Sequence, residues 1–151
     1  MNTGFRFMAS MAVVLAAVFF GGCSTSGSSV KYSYDPQFGF PQAKTYRWAE
    51  SGSSYGGDSL LETNVQFLSD RLLESKGFTR TDQPALRVSI RYESSGYSHE
   101  LRVLSLNVFR ADTNQLVWRG VATGTIRTDA ASNDLPTAVQ GILANFPPAT
   151  K

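Results

Sequence analysis

Cysteine and histidine are almost missing from this 151-residue chain, which holds one of each, Cys23 and His99. A single cysteine excludes an internal disulfide and any cysteine-based zinc site. A single histidine leaves Ser/His/Asp and Cys/His mechanisms with one candidate base. His99 stands in the polar stretch Tyr97-Ser98-His99-Glu100, which reads as a solvated turn, and Ser98 beside it would point to the opposite face of any strand. No D-x-D calcium loop occurs. Charge is sparse as well: charged residues make up 17%, the formal net charge is +2, and no long run carries one sign. Nucleic-acid binding needs clustered Lys and Arg to displace counterions, so none is expected. What remains is 42% hydrophobic, enough for a folded body, at a length that suits one domain.

The N-terminus is unlike the rest. Arg6 precedes an apolar run over residues 7–20 that only Ser10 interrupts. Such a run has the length of a signal-peptide core and falls short of the roughly 20 residues that span a bilayer as a helix. It ends in Phe20-Gly21-Gly22-Cys23. This resembles the lipobox of bacterial lipoproteins, in which small residues precede a cysteine that is lipidated and becomes the mature N-terminus. Phe20 stands where that pattern usually has Leu. The resemblance implies a signal peptide over residues 1–22, a lipid on Cys23 and a Gly/Ser tether through residue 29. Cleavage leaves thirteen basic side chains against twelve acidic ones. Ser24 in place of Asp after the cysteine favours the outer membrane in a Gram-negative cell.

The mature chain alternates between strand and helix patterns. Val30, Tyr32 and Tyr34 alternate with Lys31 and Ser33, a half-buried strand closed by Asp35-Pro36, and Thr45-Tyr46-Arg47-Trp48 makes a second short one. Residues 51–57 form a Gly/Ser-rich loop. Ser59 and Glu62 then suggest a capping box with Asp58 adding negative charge, and Leu61, Val65, Leu68 and Leu72 draw one apolar stripe before the Gly77 stop. Three longer strands follow Pro84. The first places Leu86, Val88, Ile90 and Tyr92 on one face, with Arg87, Ser89, Arg91 and Glu93 on the other. The second, residues 101–109, has adjacent Val103 and Leu104, which suggests a bulge or burial on both faces. The third, residues 116–126, puts Trp118 and Arg119 on opposite faces and lines the Trp118 side with Gly120, Ala122 and Gly124, room for a helix to approach. A second helix over residues 135–145 shows Leu135, Val139, Ile142, Leu143 and Phe146 on one side. Short connections require the last three strands to pair antiparallel. The expected fold is an α+β two-layer sandwich with about five strands, in the order β-β-α-β-β-β-α, and both helices on one face of a mainly antiparallel sheet. One domain spans residues 30–148, with a tail at 149–151.

Two motifs invite chemistry. The loop Gly52-Ser53-Ser54-Tyr55-Gly56-Gly57 has the G-x-x-x-x-G spacing of a P-loop, but Asp58 stands where that loop needs lysine and would repel phosphate, so no nucleotide is expected. Glu93 and Glu100 flank the 94–98 turn and could serve a hydrolase acting on an envelope polymer such as peptidoglycan. Solvated hairpin charges are the plainer reading of the pair.

The mature residues resemble a family of bacterial lipoproteins catalogued as domain of unknown function 4136. The resemblance rests on Tyr34-Asp35-Pro36, Phe40, Lys44-Thr45-Tyr46-Arg47-Trp48, Lys76-Gly77-Phe78, Leu86 and Val88 with Tyr92, Leu116-Val117-Trp118-Arg119-Gly120 with Ala122, and Phe146-Pro147-Pro148. Ala85 and Arg110 depart from acidic residues common at those positions. The resemblance implies an envelope lipoprotein and supplies no catalytic residues. The expectation is therefore a non-enzymatic domain, without cofactor or metal, anchored through Cys23. It would bind an envelope protein or polysaccharide through the sheet face that bears Arg87, Arg91 and Arg119.

Overall fold

A computed structural model of the chain describes residues 28–49 and 58–149. The expected signal segment, Cys23, residues 24–27 of the tether and the Gly52–Gly57 loop lie outside the described residues. β1 (Ser29–Tyr34) and β2 (Thr45–Trp48) precede α1 (Ser59–Ser75); β3 (Thr79–Arg80), β4 (Leu86–Ser94), β5 (Glu100–Arg110) and β6 (Leu116–Arg127) lead to α2 (Asp134–Ala144). The fold is α+β, with one mainly antiparallel sheet in the order β1-β6-β5-β4-β2-β3. It has six strands, one more than expected. The addition is β3, two residues that pair parallel to β2 as the chain leaves α1. β1 begins at Ser29, opposite Thr123, one residue into the expected tether.

The antiparallel run β4-β5-β6 follows from its short connections. Asn114 closes the second hairpin in the left-handed region, at φ 58°, a conformation that Asn tolerates better than most residues. The bulge expected at Val103-Leu104 lies one step earlier: the register against β6 shifts between Leu101 and Val103, so Leu101 and Leu104 both reach the core. β2 pairs parallel to β4, with Tyr46 opposite Leu86 and Trp48 opposite Val88. A parallel neighbour requires a crossover, and α1 supplies it.

α1 starts on a different cap from the one its sequence suggests. Asp58 is the N-cap, in extended conformation, and its carboxylate accepts from the Leu60 and Leu61 amides. Ser59 is thus already helical, so no capping box forms on it. The buried stripe is Leu61, Val65, Ser69 and Leu73, with Leu68 and Leu72 half-buried along its flank. Gly77 ends the element at φ 80°, as a left-handed stop should.

α2 buries Leu135, Ala138, Val139, Ile142 and Leu143, its larger side chains contributing about 1.5–3 kcal/mol each by apolar burial. It lies close to β6 because Gly120 lets it. A Cβ on Gly120 would come within 2.6 Å of Ile142 Cγ2 and nearer still to the Trp118 ring. Trp118 is buried and packs edge-on to Phe146, whose ring also meets Phe40 and Phe78. Asp134, the first residue of α2, accepts from Arg127 Nε at 2.9 Å, which ties the helix start to the end of β6 and holds the Asp134 carboxyl below the usual range.

The fastening of α1 to the sheet is polar. Asp70 Oδ1 accepts from the Tyr46 hydroxyl at 2.6 Å and from Trp48 Nε1 at 2.8 Å, while Oδ2 accepts from Arg80 at 3.2 Å. Burial first, then the bond to Asp70, raises the Tyr46 ionisation well above its ordinary value of 10.0. A raised value stabilises the fold fully below the unfolded-state value near 10, and the contribution is lost as pH climbs beyond it. Urea midpoints should therefore fall more steeply above pH ~10 in the natural chain than in Tyr46→Phe. Equal slopes in the two proteins would contradict this assignment.

Candidate functional site: the helix-free face of the sheet

Both helices cover one face, the face of Tyr46, Trp48, Leu86, Val88, Leu104, Leu106, Val108, Trp118 and Ala122. Alternation sends the intervening residues to the other face. Strand register sorts that second face into rows. The first row reads Ser29, Thr123, Val103, Glu93 and the second Lys31, Val121, Ser105, Arg91. The third row reads Ser33, Arg119, Asn107, Ser89, and in the fourth Phe109 pairs with Arg87 and Arg87 with Arg47. Five of these side chains are cationic, namely Lys31, Arg47, Arg87, Arg91 and Arg119. One, Glu93, is anionic.

The structure brings Arg87, Arg91 and Arg119 onto one face, as the alternation of β4 and β6 implies. It adds Lys31 from the edge strand and Arg47 from β2. Arg47 was missed because the sequence does not reveal that β2 lies parallel against β4, the pairing that sets Arg47 beside Arg87. Only the Tyr46-Arg47-Trp48 alternation hints that Arg47 turns away from the two aromatics.

The ion pairs of the described residues lie elsewhere, at Arg80–Asp70, Arg110–Asp112 and Arg127–Asp134. The five cations of the face have no carboxylate partner among the described residues. Arg47 and Arg87 are directly paired across neighbouring strands, where like charges destabilise a sheet. Arg87 Nη2 donates to Asn114 Oδ1, and Arg119 Nε donates to Asn107 Oδ1 at 2.6 Å. Asn107 is only 1% exposed. Its Nδ2 and the Arg87 Nε are buried without a hydrogen-bond partner among the described residues. Polar groups thus reach the floor of the face at Asn107, beside Val103, Val121 and Phe109, and its unpartnered buried atoms are donors.

The other candidates are dispersed. His99 is exposed in the β4–β5 hairpin at φ 58°, and its carbonyl accepts from the Thr128 amide. Glu93 sits exposed in the first row, whereas Glu100 opens β5 opposite Arg127. No hydrogen bond joins the two carboxylates among the described residues. Arg110, at a position where acidic residues are common in the resembling family, pairs with Asp112 at 2.6 Å, which lowers the Asp112 carboxyl below its ordinary value. Among the described residues no helix is long and apolar enough to cross a membrane, and no group of three or more His, Cys, Asp or Glu is placed to hold a metal.

Comparison with known proteins bears on fold and family. A family model described as "Domain of unknown function (DUF4136)" matches residues 30–100 and 89–148. No curated protein matches the sequence. Among solved structures, a PDZ domain protein from Parabacteroides distasonis is similar with a TM-score of 0.62 at 13% identity, over 82% of this chain and 36% of that one. The chain thus spans about a third of that protein's length. Two structures of a PelC dodecamer from Paraburkholderia phytofirmans are similar with TM-scores of 0.54 and 0.51, at 13% and 14% identity. Each covers 78% of this chain, and 95% and 96% of the PelC chain respectively. At such identities the likeness shows the fold alone.

Proposed function

From a chain that belongs to the DUF4136 family of domains of unknown function, we propose a non-enzymatic binding domain of the cell envelope, lipid-anchored through Cys23, with the helix-free sheet face as its binding surface. The observation that carries the reading is the four rows of that face, in which five cations stand against one carboxylate. In a chain of net charge +2 such a concentration is local. Like-charged neighbours and buried unpaired donors cost stability inside a protein, and a partner with anionic groups would recover that cost on binding. The anchoring half of the proposal is supported by Gly21-Gly22-Cys23 after an apolar run, followed by six Ser, Thr and Gly residues. The outer membrane is the proposed site in a Gram-negative cell, on the strength of Ser24.

The anchor is tested by mass spectrometry of the N-terminal peptide from membrane-purified protein. A peptide that begins at Cys23 and carries diacylglyceryl and acyl mass is expected. The Cys23→Ala variant should persist as unprocessed precursor, and a natural chain that keeps residues 1–22 would refute the anchor.

A further inference from the structure

The length of chain before β1 limits where the cationic face can be. Six peptide steps separate Cys23 from Ser29, a reach of at most about 20 Å even when fully extended. Ser29 lies on the edge strand, in the first row of the helix-free face, and Lys31 lies in the next row. A face of six strands is roughly 25 Å wide. A lipid on Cys23 would hold the near edge of that face within a few residues of the bilayer, at a local concentration no soluble ligand matches.

We propose that the occupant of the helix-free face is the anionic lipid surface itself. Lys31, Arg119, Arg91, Arg87 and Arg47 would meet lipid phosphates as the domain lies down on the membrane that anchors it. This deepens the proposed function and rests on its reading of Cys23. Charge complementarity is the first support. The row geometry spreads the cations over four strands, β1, β6, β4 and β2, and so matches a planar array of phosphates better than one small anion. The uncompensated Arg47–Arg87 pair is the second, because bridging phosphates would relieve it. Tyr97 is the third. It is 76% exposed at the tip of the β4–β5 hairpin, past the Ser94–Leu101 pair, and so toward the end of the sheet where the tether joins at Ser29. Tyrosine is favoured at the membrane–water interface.

The test uses the mature chain from Cys23 to Lys151 without its lipid. Every buried hydrophobic residue of the core lies between Phe40 and Phe146, so this chain retains the whole core. Co-sedimentation is measured with vesicles of phosphatidylcholine alone and with vesicles in which phosphatidylglycerol replaces a third of it. Binding to the anionic vesicles only, weakened by salt, is expected. Each near-surface cation contributes roughly a five-fold factor, so R87Q/R91Q/R119Q should bind about 100-fold more weakly. The charge-conserving R87K/R91K/R119K should bind within a few-fold of the natural chain, with urea midpoints verifying that both variants fold. The proposal would be overturned by no preference for anionic vesicles, by binding unchanged in the glutamine variant, or by tighter binding to polyglutamate than to vesicles, which would assign the face to an acidic polymer. An Arg-dependent shift in sedimentation velocity without vesicle binding would likewise overturn it, in favour of a second copy of the chain. None of these depends on lipidation, which the mass of the Cys23 peptide decides separately.

Discussion

Asp70→Ala lowers the unfolding free energy by about 3–5 kcal/mol, an expected loss larger than that of most single substitutions. Asp70 Oδ1 is the acceptor for both the Tyr46 hydroxyl and Trp48 Nε1, and both residues are buried. Alanine leaves two donors without partners, each stranded at about 1–3 kcal/mol. The Arg80 pair adds little because Arg80 is largely exposed. Asp70→Asn keeps an oxygen for the two donors and forfeits only the charge, so about 1–2 kcal/mol is expected. Urea denaturation of the three proteins distinguishes these outcomes. An Asp70→Ala midpoint equal to the natural one would mean that α1 is held by its apolar stripe alone.

The second large effect comes from adding one methyl group. In Gly120→Ala the new Cβ meets Ile142 Cγ2 at 2.6 Å and the Trp118 ring at 2.9 Å or nearer. Neither neighbour can yield cheaply, since Trp118 and Ile142 are both buried in the same core. Overpacking of this kind costs about 1–3 kcal/mol and sometimes more; with two rigid partners the upper end is expected. Gly141→Ala is the control. Its Cβ would stand 3.1 Å from one methyl of Val30, and it gains up to about 1 kcal/mol of helix propensity, so the net change should be small. If the two substitutions cost the same, the close approach of α2 to β6 at Gly120 is wrong.

These two sites mark the boundary of what sequence patterns reveal. The glycine and alanine run of β6 announced a helix at close range, because small residues on the Trp118 side have one ready explanation. The faces of β4 and the core of α2 were legible for a similar reason, since alternation and a 3.6-residue period are local properties. Asp70 was not legible. It stands on the side of α1 opposite the Leu61-Val65-Leu68-Leu72 stripe and reads as solvent-facing until β2 is placed, and β2 finds β4 only through a crossover that no local signal encodes. The Asp58 cap is a subtler case: Asp58 and Ser59 are both good caps, and only the backbone decides which is used. The stripe is a separate difference: packing buries Ser69 and Leu73 and leaves Leu68 and Leu72 half-buried. The candidate face divides along the same line, since Arg87, Arg91 and Arg119 followed from strand alternation while Arg47 needed tertiary pairing.

The central claim, that the helix-free face is where this domain meets a lipid surface, is tested most directly by an environment-sensitive dye. With Cys23 carrying its lipid, the thiol in Ser89→Cys is the only one free to take the dye, and position 89 lies in the third row between Arg87 and Arg91. Thr63→Cys, exposed on α1, is the matched control on the opposite side. A blue-shifted emission is expected at position 89 on anionic membranes, none on zwitterionic ones, and no change at position 63 on either. Emission at position 89 that stays that of water on anionic membranes, or a shift at position 63 instead, would contradict it.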